Sequence, residues 1–322
     1  MSAVNGAETQ ARWSRLGDTA ALGVAIGFIV ALTLLPIAGV DLRYAYIPAA
    51  HGNLDGIYNP YWARPLFEMF ALVPFQVAYA GWMVASLVAL ILSTWVFGGR
   101  LPFVLLTYQF GQLLYYGQID ALVVLGVAVS WLGVERRNPW LAGVGFAAAS
   151  IKPQVSAPTL LLLWWWLDRP DKVRSLVIPL LVVLGSFWRY GWWVPGWLEQ
   201  LFTENLIRTG SITLWEHTGP VALLLWIPSL FGRLPRRDKL LLFLATTALT
   251  MPYYQEDSLV ILQVFPIGWM AWLGNLGFLF PILGSSILEW IVLLPLSVYG
   301  RYTWLGWRHV WLTRQQSDDR EG

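Results

Sequence analysis

TAALGVAIGFIVALTLLPIA, residues 19–38, runs for twenty residues without a charged side chain. As a helix it would be about 30 Å long, which is the thickness of the hydrocarbon core of a bilayer. Arg12 and Arg15 stand just before it, and no small-residue cleavage signal follows it. The stretch therefore reads as a first transmembrane helix rather than a removable leader.

The rest of the chain has the same character. Of 322 residues, 57% are hydrophobic and only 12% are charged, and mean hydropathy is +0.56. A soluble domain carries about a quarter charged residues, and no fold of this size could hide so much apolar surface in its own core. The net charge of +2 is small and the basic residues are scattered, which argues against nucleic acid as a partner. With no cysteine, disulfides, thiolate catalysis and cysteine-ligated metals are excluded. The three histidines, His51, His217 and His309, are far apart, so a histidine metal centre is not expected. No repeat of fixed period is present, which excludes a solenoid.

Short charged or Gly/Pro breaks divide the chain into apolar runs at 19–38, 76–97, 101–115, 118–134, 139–151, 154–168, 173–189, 219–233, 238–252, 257–273, 275–284 and 285–300. The expected fold is thus an all-α polytopic membrane protein with about 12 transmembrane helices. Residues 1–18 form a cytoplasmic N-terminal segment, 19–300 a single membrane domain, and 301–322 a cytoplasmic tail. Several runs are shorter than the ~20 residues that cross a full bilayer. Short, broken helices are tolerated where protein or a water-filled cavity surrounds them. If the N-terminus is inside, 16 of the 21 basic residues fall on the inner side, leaving Arg43, Arg64, Lys152, Arg189 and Arg208 outside. This bias is the one the positive-inside rule requires. Two outer loops are long, 39–76 and 190–219. The first contains amphipathic stretches suited to short interfacial helices, and the second a Trp-rich cluster from Trp192 to Trp197. Most of the 21 Trp and 13 Tyr read as a membrane-interface belt.

Charged groups at membrane depth are costly, so they are functional candidates by default. Asp41 follows the first helix and suits a general base at the interface; the alternative is an N-cap for the next short helix. Lys152 joins two short helices on the side where positive charge is sparse. It suits a phosphate, or is a lysine snorkelling at a helix end. The reversal around Gln118 and Asp120 carries amides and an acid that suit sugar hydroxyls, or simply hold helices together. Glu256 and Asp257 open an apolar run, as catalytic, sugar-binding or phosphate-orienting acids or as helix caps.

These residues resemble a known family. Gly39-Val40-Asp41 with Tyr44, then Gly56 to Pro60 and Arg64 to Phe67, resemble the first outer loop of glycosyltransferase family 87. The similarity continues through Pro74-Phe75, Trp82, Gly117-Gln118, Arg136-Arg137 and Lys152-Pro153-Gln154, and ends in Pro252 to Leu262. The family's Asn after Gly-Gln is Asp120 here. The resemblance implies a type C membrane fold and inverting transfer of a sugar, commonly mannose. The donor would be a polyprenyl-phosphate sugar and the acceptor a lipid or glycan, with transfer at the outer face and no cofactor or metal. It implies Asp41 as base, and Lys152 with Arg64 or Arg208 at the donor phosphate. Gln118, Asp120, Glu256, Asp257 and Tyr44 would contact sugar or acceptor; His51, like His217, is a candidate for the same contact from its place in an outer loop. A transporter of a lipid-linked or small polar substrate is the competing reading, and a non-catalytic scaffold is another. A scaffold would leave Asp41, Lys152 and Asp257 far apart, whereas an enzyme would gather them around one cavity. The sequence does not define an oligomeric state.

Overall fold

The computed structural model describes the backbone of the chain except residues 1, 36, 54–57, 204–210, 285–288 and 322, with side chains further excluding 2–14, 201–203 and 309–321. The described secondary structure is entirely helical. The longer helices are α1 (Ser2–Leu34), α2 (Arg64–Ala71), α3 (Phe75–Phe97), α4 (Tyr108–Tyr116), α5 (Asp120–Glu135), α6 (Pro139–Ala149), α7 (Pro153–Trp166), α8 (Arg169–Tyr190), α9 (Val194–Thr203), α10 (Arg236–Thr250) and α11 (Leu293–Glu321).

Three stretches among the described residues are long and apolar enough to cross a membrane: Arg15–Leu34 in α1, α3 and α8. A fourth is obtained if α4 and α5, between which the chain bends by 116°, count as one broken span. This is fewer than the twelve runs read from the sequence, and particular breaks account for much of the difference. The run 101–115 is interrupted after Leu105, where the Thr107 side chain caps α4 by accepting from Phe110 N at 3.4 Å. The runs 257–273 and 275–284 become two short turns, Asp257–Leu259 and Val260–Gln263, and then a twelve-residue 3-10 helix, Gly268–Leu279, that runs into the turn Phe280–Leu283. Buried amides hold them in place. Gln263 Nε2 donates to Gln109 Oε1 at 2.8 Å, and Thr107 Oγ1 donates to Gln263 Oε1 at 3.0 Å. Asn275 accepts from Tyr108 N at 2.8 Å and donates to Leu106 O at 3.2 Å. Side-chain amides thus satisfy backbone groups that a continuous helix would have paired internally.

The centre is built on close helix contact through small residues. α5 and α6 form the most extensive pairing. A Cβ at Gly126 would stand 2.5 Å from Ala149 N, and Cβ atoms at Gly133 and Gly145 would collide with the backbone of Ala142 and Ser130. Gly133→Leu is therefore expected to cost about 3 kcal/mol through overpacking, read as a lowered unfolding midpoint of the detergent-solubilised protein. Gly81 on α3 has nothing within 4 Å of its would-be Cβ. Gly81→Ala should leave stability unchanged or raise it by up to about 1 kcal/mol, from helix propensity, read as an unchanged or raised midpoint.

Two glycines position the segment that follows α1. Gly117, at φ +73°, ends α4 in the left-handed region, and Gly39, at φ +74°, turns the chain after α1. Gly39 N donates to Tyr115 O at 2.7 Å. A Cβ at Gly39 would lie 2.7 Å from the Phe75 ring, and one at Gly117 would lie 3.2 Å from Leu42 Cβ. This close approach brings the segment beginning at Asp41 against the α4–α5 reversal.

Candidate active site

Asp41 leads into a five-residue π-helical turn, Leu42–Tyr46, a form that recurs at functional sites. Its side chain does not cap that turn. It crosses to the α4–α5 reversal and accepts a hydrogen bond from Gln118 Nε2. One helical turn on, the Tyr46 hydroxyl donates to Gln118 Oε1 at 3.0 Å. Trp82 Nε1 donates to Gln118 O at 3.0 Å. Burial pushes the Asp41 carboxyl up to about 6; the Lys152 charge and the Gln118 hydrogen bond pull the other way, while the Asp120 charge adds to the rise.

Lys152 lies at the junction of α6 and α7. With only 4% of its surface exposed, it does not snorkel. Its Nζ donates to Asp120 Oδ2 at 2.7 Å and to Ser258 Oγ at 3.1 Å, and stands 3.6 Å from Asp257 Oδ2. Ser258 Oγ in turn donates to Asp120 Oδ1 at 2.6 Å. Asp257 Oδ2 is buried without a hydrogen bond, so the lysine charge is its compensation. Burial works against the ammonium, but the charges of Asp120 and Asp257 outweigh it and the Lys152 pKa stands above the ordinary lysine value. Asn59 ties the segment between α1 and α2 to this junction by donating to Ile151 O at 3.0 Å.

The two clusters share one cavity of about 200 Å³. Asp41, Gln118 and Lys152 line it, together with Ala45, Tyr46, Tyr58, Asn59, Gln154, Tyr253 and Gln255. Asp41, Lys152 and Asp257 are thus gathered rather than dispersed. Asp120 and Asp257 contribute from behind Lys152 and do not line the cavity themselves. Of the other described candidates, Arg64, Tyr44, His51 and Glu256 do not line the cavity. Arg64 is ion-paired to Glu68 at 3.7 Å and stacks over the Tyr190 ring. Glu68 also accepts from Arg189 Nη2 at 2.6 Å and Tyr190 Oη at 2.9 Å. Tyr44 is 69% exposed and His51 is exposed. Glu256 precedes the Asp257–Leu259 turn without capping it. Arg208 falls outside the described residues. Among the described residues no three of His, Cys, Asp or Glu converge on a metal-binding arrangement.

Sequence reading missed Tyr46, Ser258 and Asn59. Asn59 had a visible signal in the segment Tyr58-Asn59-Pro60. Ser258 is adjacent to the acid pair. Tyr46 had none, because a tyrosine in an apolar loop looks like any interfacial aromatic. The aromatic cluster from Trp192 to Trp197 also serves partly as internal packing. Trp193 stacks on Tyr61 at 5.1 Å, and Trp197 Nε1 donates to Tyr58 O at 3.1 Å.

A second, apolar cavity of about 750 Å³ runs along α7 from Pro153 and Ala157 through Leu161 and Trp165 to Trp166, and is closed on its other side by Trp226, Leu230, Lys239, Phe243 and Met251. Its Pro153 and Met251 end lies within two residues of Lys152, Gln154 and Tyr253, which line the polar cavity. α7 gives the groove a length of about 20 Å.

Residues 57–275 match the family model of glycosyltransferase family 87. The chain belongs to glycosyltransferase family 87. The match covers more than half of the chain, including Asn59, Gln118, Asp120, Lys152 and Asp257. Comparison with curated proteins and with solved structures finds no match. Membership makes this family 87 chain a glycosyltransferase, with a sugar donor, an acceptor and, given its apolar helices, a lipid bilayer as partners. Asp41 and Tyr46 precede the matched region, so their placement rests on the cavity geometry.

Proposed function

We propose that the protein transfers a hexose, mannose being the favoured sugar, from a polyprenyl-phosphate donor to a hydroxyl of a lipid-linked or glycan acceptor, with inversion at the anomeric carbon. The reaction takes place at the outer face of the cell (inner) membrane. About twelve membrane segments within residues 19–300 form one domain, and both termini are cytoplasmic. The bias of basic residues supports this orientation, and the short, broken helices support a membrane domain that surrounds a cavity.

The observation that carries the reading is the placement of Asp41 and Lys152 on one small polar cavity whose neighbour is a long apolar groove. In the proposed reaction the acceptor hydroxyl gives its proton to Asp41 as its oxygen bonds to the anomeric carbon. The bond from that carbon to the phosphate oxygen breaks on the opposite side, and the polyprenyl phosphate leaves with the bonding electron pair. Lys152 is placed where that charge develops. Gln118, Asn59, Gln154 and Gln255 offer hydrogen bonds to sugar hydroxyls, and the tyrosines offer faces for the ring. The isoprenoid tail lies in the groove along α7.

The test uses purified protein in lipid vesicles, polyprenyl-phosphate mannose labelled in the sugar, and envelope lipids as acceptor. Label is expected to move into a new product. If no label moves with any sugar in a donor panel, the reading is overturned in favour of transport. For the groove, Leu161→Trp introduces an indole where Leu161 now leaves space. Each displaced CH₂ forfeits about 0.8 kcal/mol, so the ratio of kcat/KM for long over short polyprenyl donors should fall about tenfold. An unchanged ratio would place the tail elsewhere.

A further inference from the structure

Gln118 is held at every position from which it could turn. Its backbone N donates to Leu113 O at 3.0 Å, and its backbone O accepts from Trp82 Nε1 at 3.0 Å. Its side-chain oxygen accepts from the Tyr46 hydroxyl and its side-chain nitrogen donates to Asp41. Tyr46 is itself fixed: 4% exposed, it stacks face to face on Phe67 with centroids 4.5 Å apart and planes within 5°. An amide has a donor end and an acceptor end. With the hydroxyl donating to one end, the other presents N–H to the carboxylate. Reversing the amide would aim its oxygen at Asp41, an arrangement favourable only when Asp41 carries a proton that it can donate.

We propose that Tyr46 and Gln118 form a positioning relay that locks the amide with its N–H toward Asp41, and so sets the pH above which Asp41 is an unprotonated base. The proposal rests on Asp41 being the base of the transfer reaction. The relay acts against other groups around Asp41: Tyr116 at the end of α4, Asp120 at the start of α5, Lys152 between α6 and α7, and Tyr253 after α10. None of these touches the Gln118 side chain through a hydrogen bond, so changing Tyr46 alters the relay alone. Tyr46 is a positioning residue, since it reaches Asp41 only through Gln118.

The test is the pH profile of kcat/KM in lipid vesicles for the wild type, Tyr46→Phe, Gln118→Leu and Asp41→Asn, with unfolding midpoints measured for each. Tyr46→Phe keeps the stacked ring and removes the hydroxyl, freeing the amide to turn. Its acid limb is expected to move up by about one pH unit, the scale of a hydrogen bond to a charged group. Gln118→Leu removes the donor outright and should move the limb at least as far. A uniform loss at every pH with an unmoved acid limb would make Tyr46 merely structural and overturn the relay. If Asp41→Asn keeps its turnover, the base assignment itself fails; an inactive Asp41→Asn beside an unshifted Tyr46→Phe fails the relay alone.

Discussion

Asp41→Asn is expected to lower kcat/KM by about 10²–10⁴-fold, the usual contribution of a general base, while the unfolding midpoint stays within a degree or two of wild type. The substitution keeps the shape of the side chain and a hydrogen-bonding oxygen for Gln118, but leaves no group able to take the acceptor's proton. Stability is spared because burial already disfavours the charged form of Asp41, so removing the charge relieves a cost rather than breaking a compensated pair. The pH dependence carries a sign. Asp41 must be unprotonated to act, and its carboxyl is pushed up to about 6. Wild-type kcat/KM should therefore fall tenfold per pH unit as pH drops below about 6, and level off above it. An ordinary surface aspartate, near 3.9, would leave activity flat down to pH 5. Measurement of initial rates between pH 4.5 and 8 separates the two. An acid limb near 4, or full turnover in Asp41→Asn, would remove Asp41 from the chemistry.

What could be read from the sequence depended on whether a residue's cost was visible without knowing its neighbours. Charge in an apolar chain is visible in that way. Asp41, Lys152, Asp120 and Asp257 stood out because each breaks or borders an apolar run, and the structure brings all four together. The helices α5, α6, α7, α8 and α10 lie within a few residues of the apolar runs, because Pro and charge at their ends mark them. Asn138 and Pro139 start α6, where the Asn138 side chain accepts from Trp140 N and Leu141 N. The breaks at 101–115 and 257–284 were hidden because their cause is long-range. Gln109 meets Gln263 across 154 positions of the chain, and no local pattern marks that pairing. The partners of Arg64 were hidden for a related reason: the Glu68 it pairs with is shared with Arg189 and Tyr190, which lie more than a hundred positions on. Tyr46 acts through the amide of a residue 72 positions away, so its role exists only in the folded chain.

Lys152→Met should destabilise the protein by about 3–5 kcal/mol, the cost of leaving buried charge without its partner. Lys152 is the cation nearest two carboxylates, Asp120 at 2.7 Å and Asp257 at 3.6 Å, and these acids are 1% and 4% exposed. Methionine fills the same volume with no charge, leaving both acids to be protonated or hydrated at the folded state's expense. The loss would appear as a lowered unfolding midpoint in detergent. The double variant Lys152→Met with Asp120→Asn removes one of the two stranded charges, so it should recover a substantial part of the lost stability; the two changes are in contact and are not expected to add. This pair of variants also separates stability from catalysis. The double variant should fold well enough to bind acceptor, yet transfer sugar slowly, because no ammonium remains where the departing phosphate gains charge. A double variant with recovered stability and wild-type turnover would leave Lys152 as a structural counter-ion alone. Recovered stability with turnover reduced at least a hundredfold would assign it both roles: compensating two buried acids in the resting protein and facing the leaving group during transfer. Asp120 then tempers the lysine's attraction for anions. The single variant Asp120→Asn, which removes that charge and keeps the side chain's shape, should bind the donor phosphate more tightly, read as a lower KM for the donor.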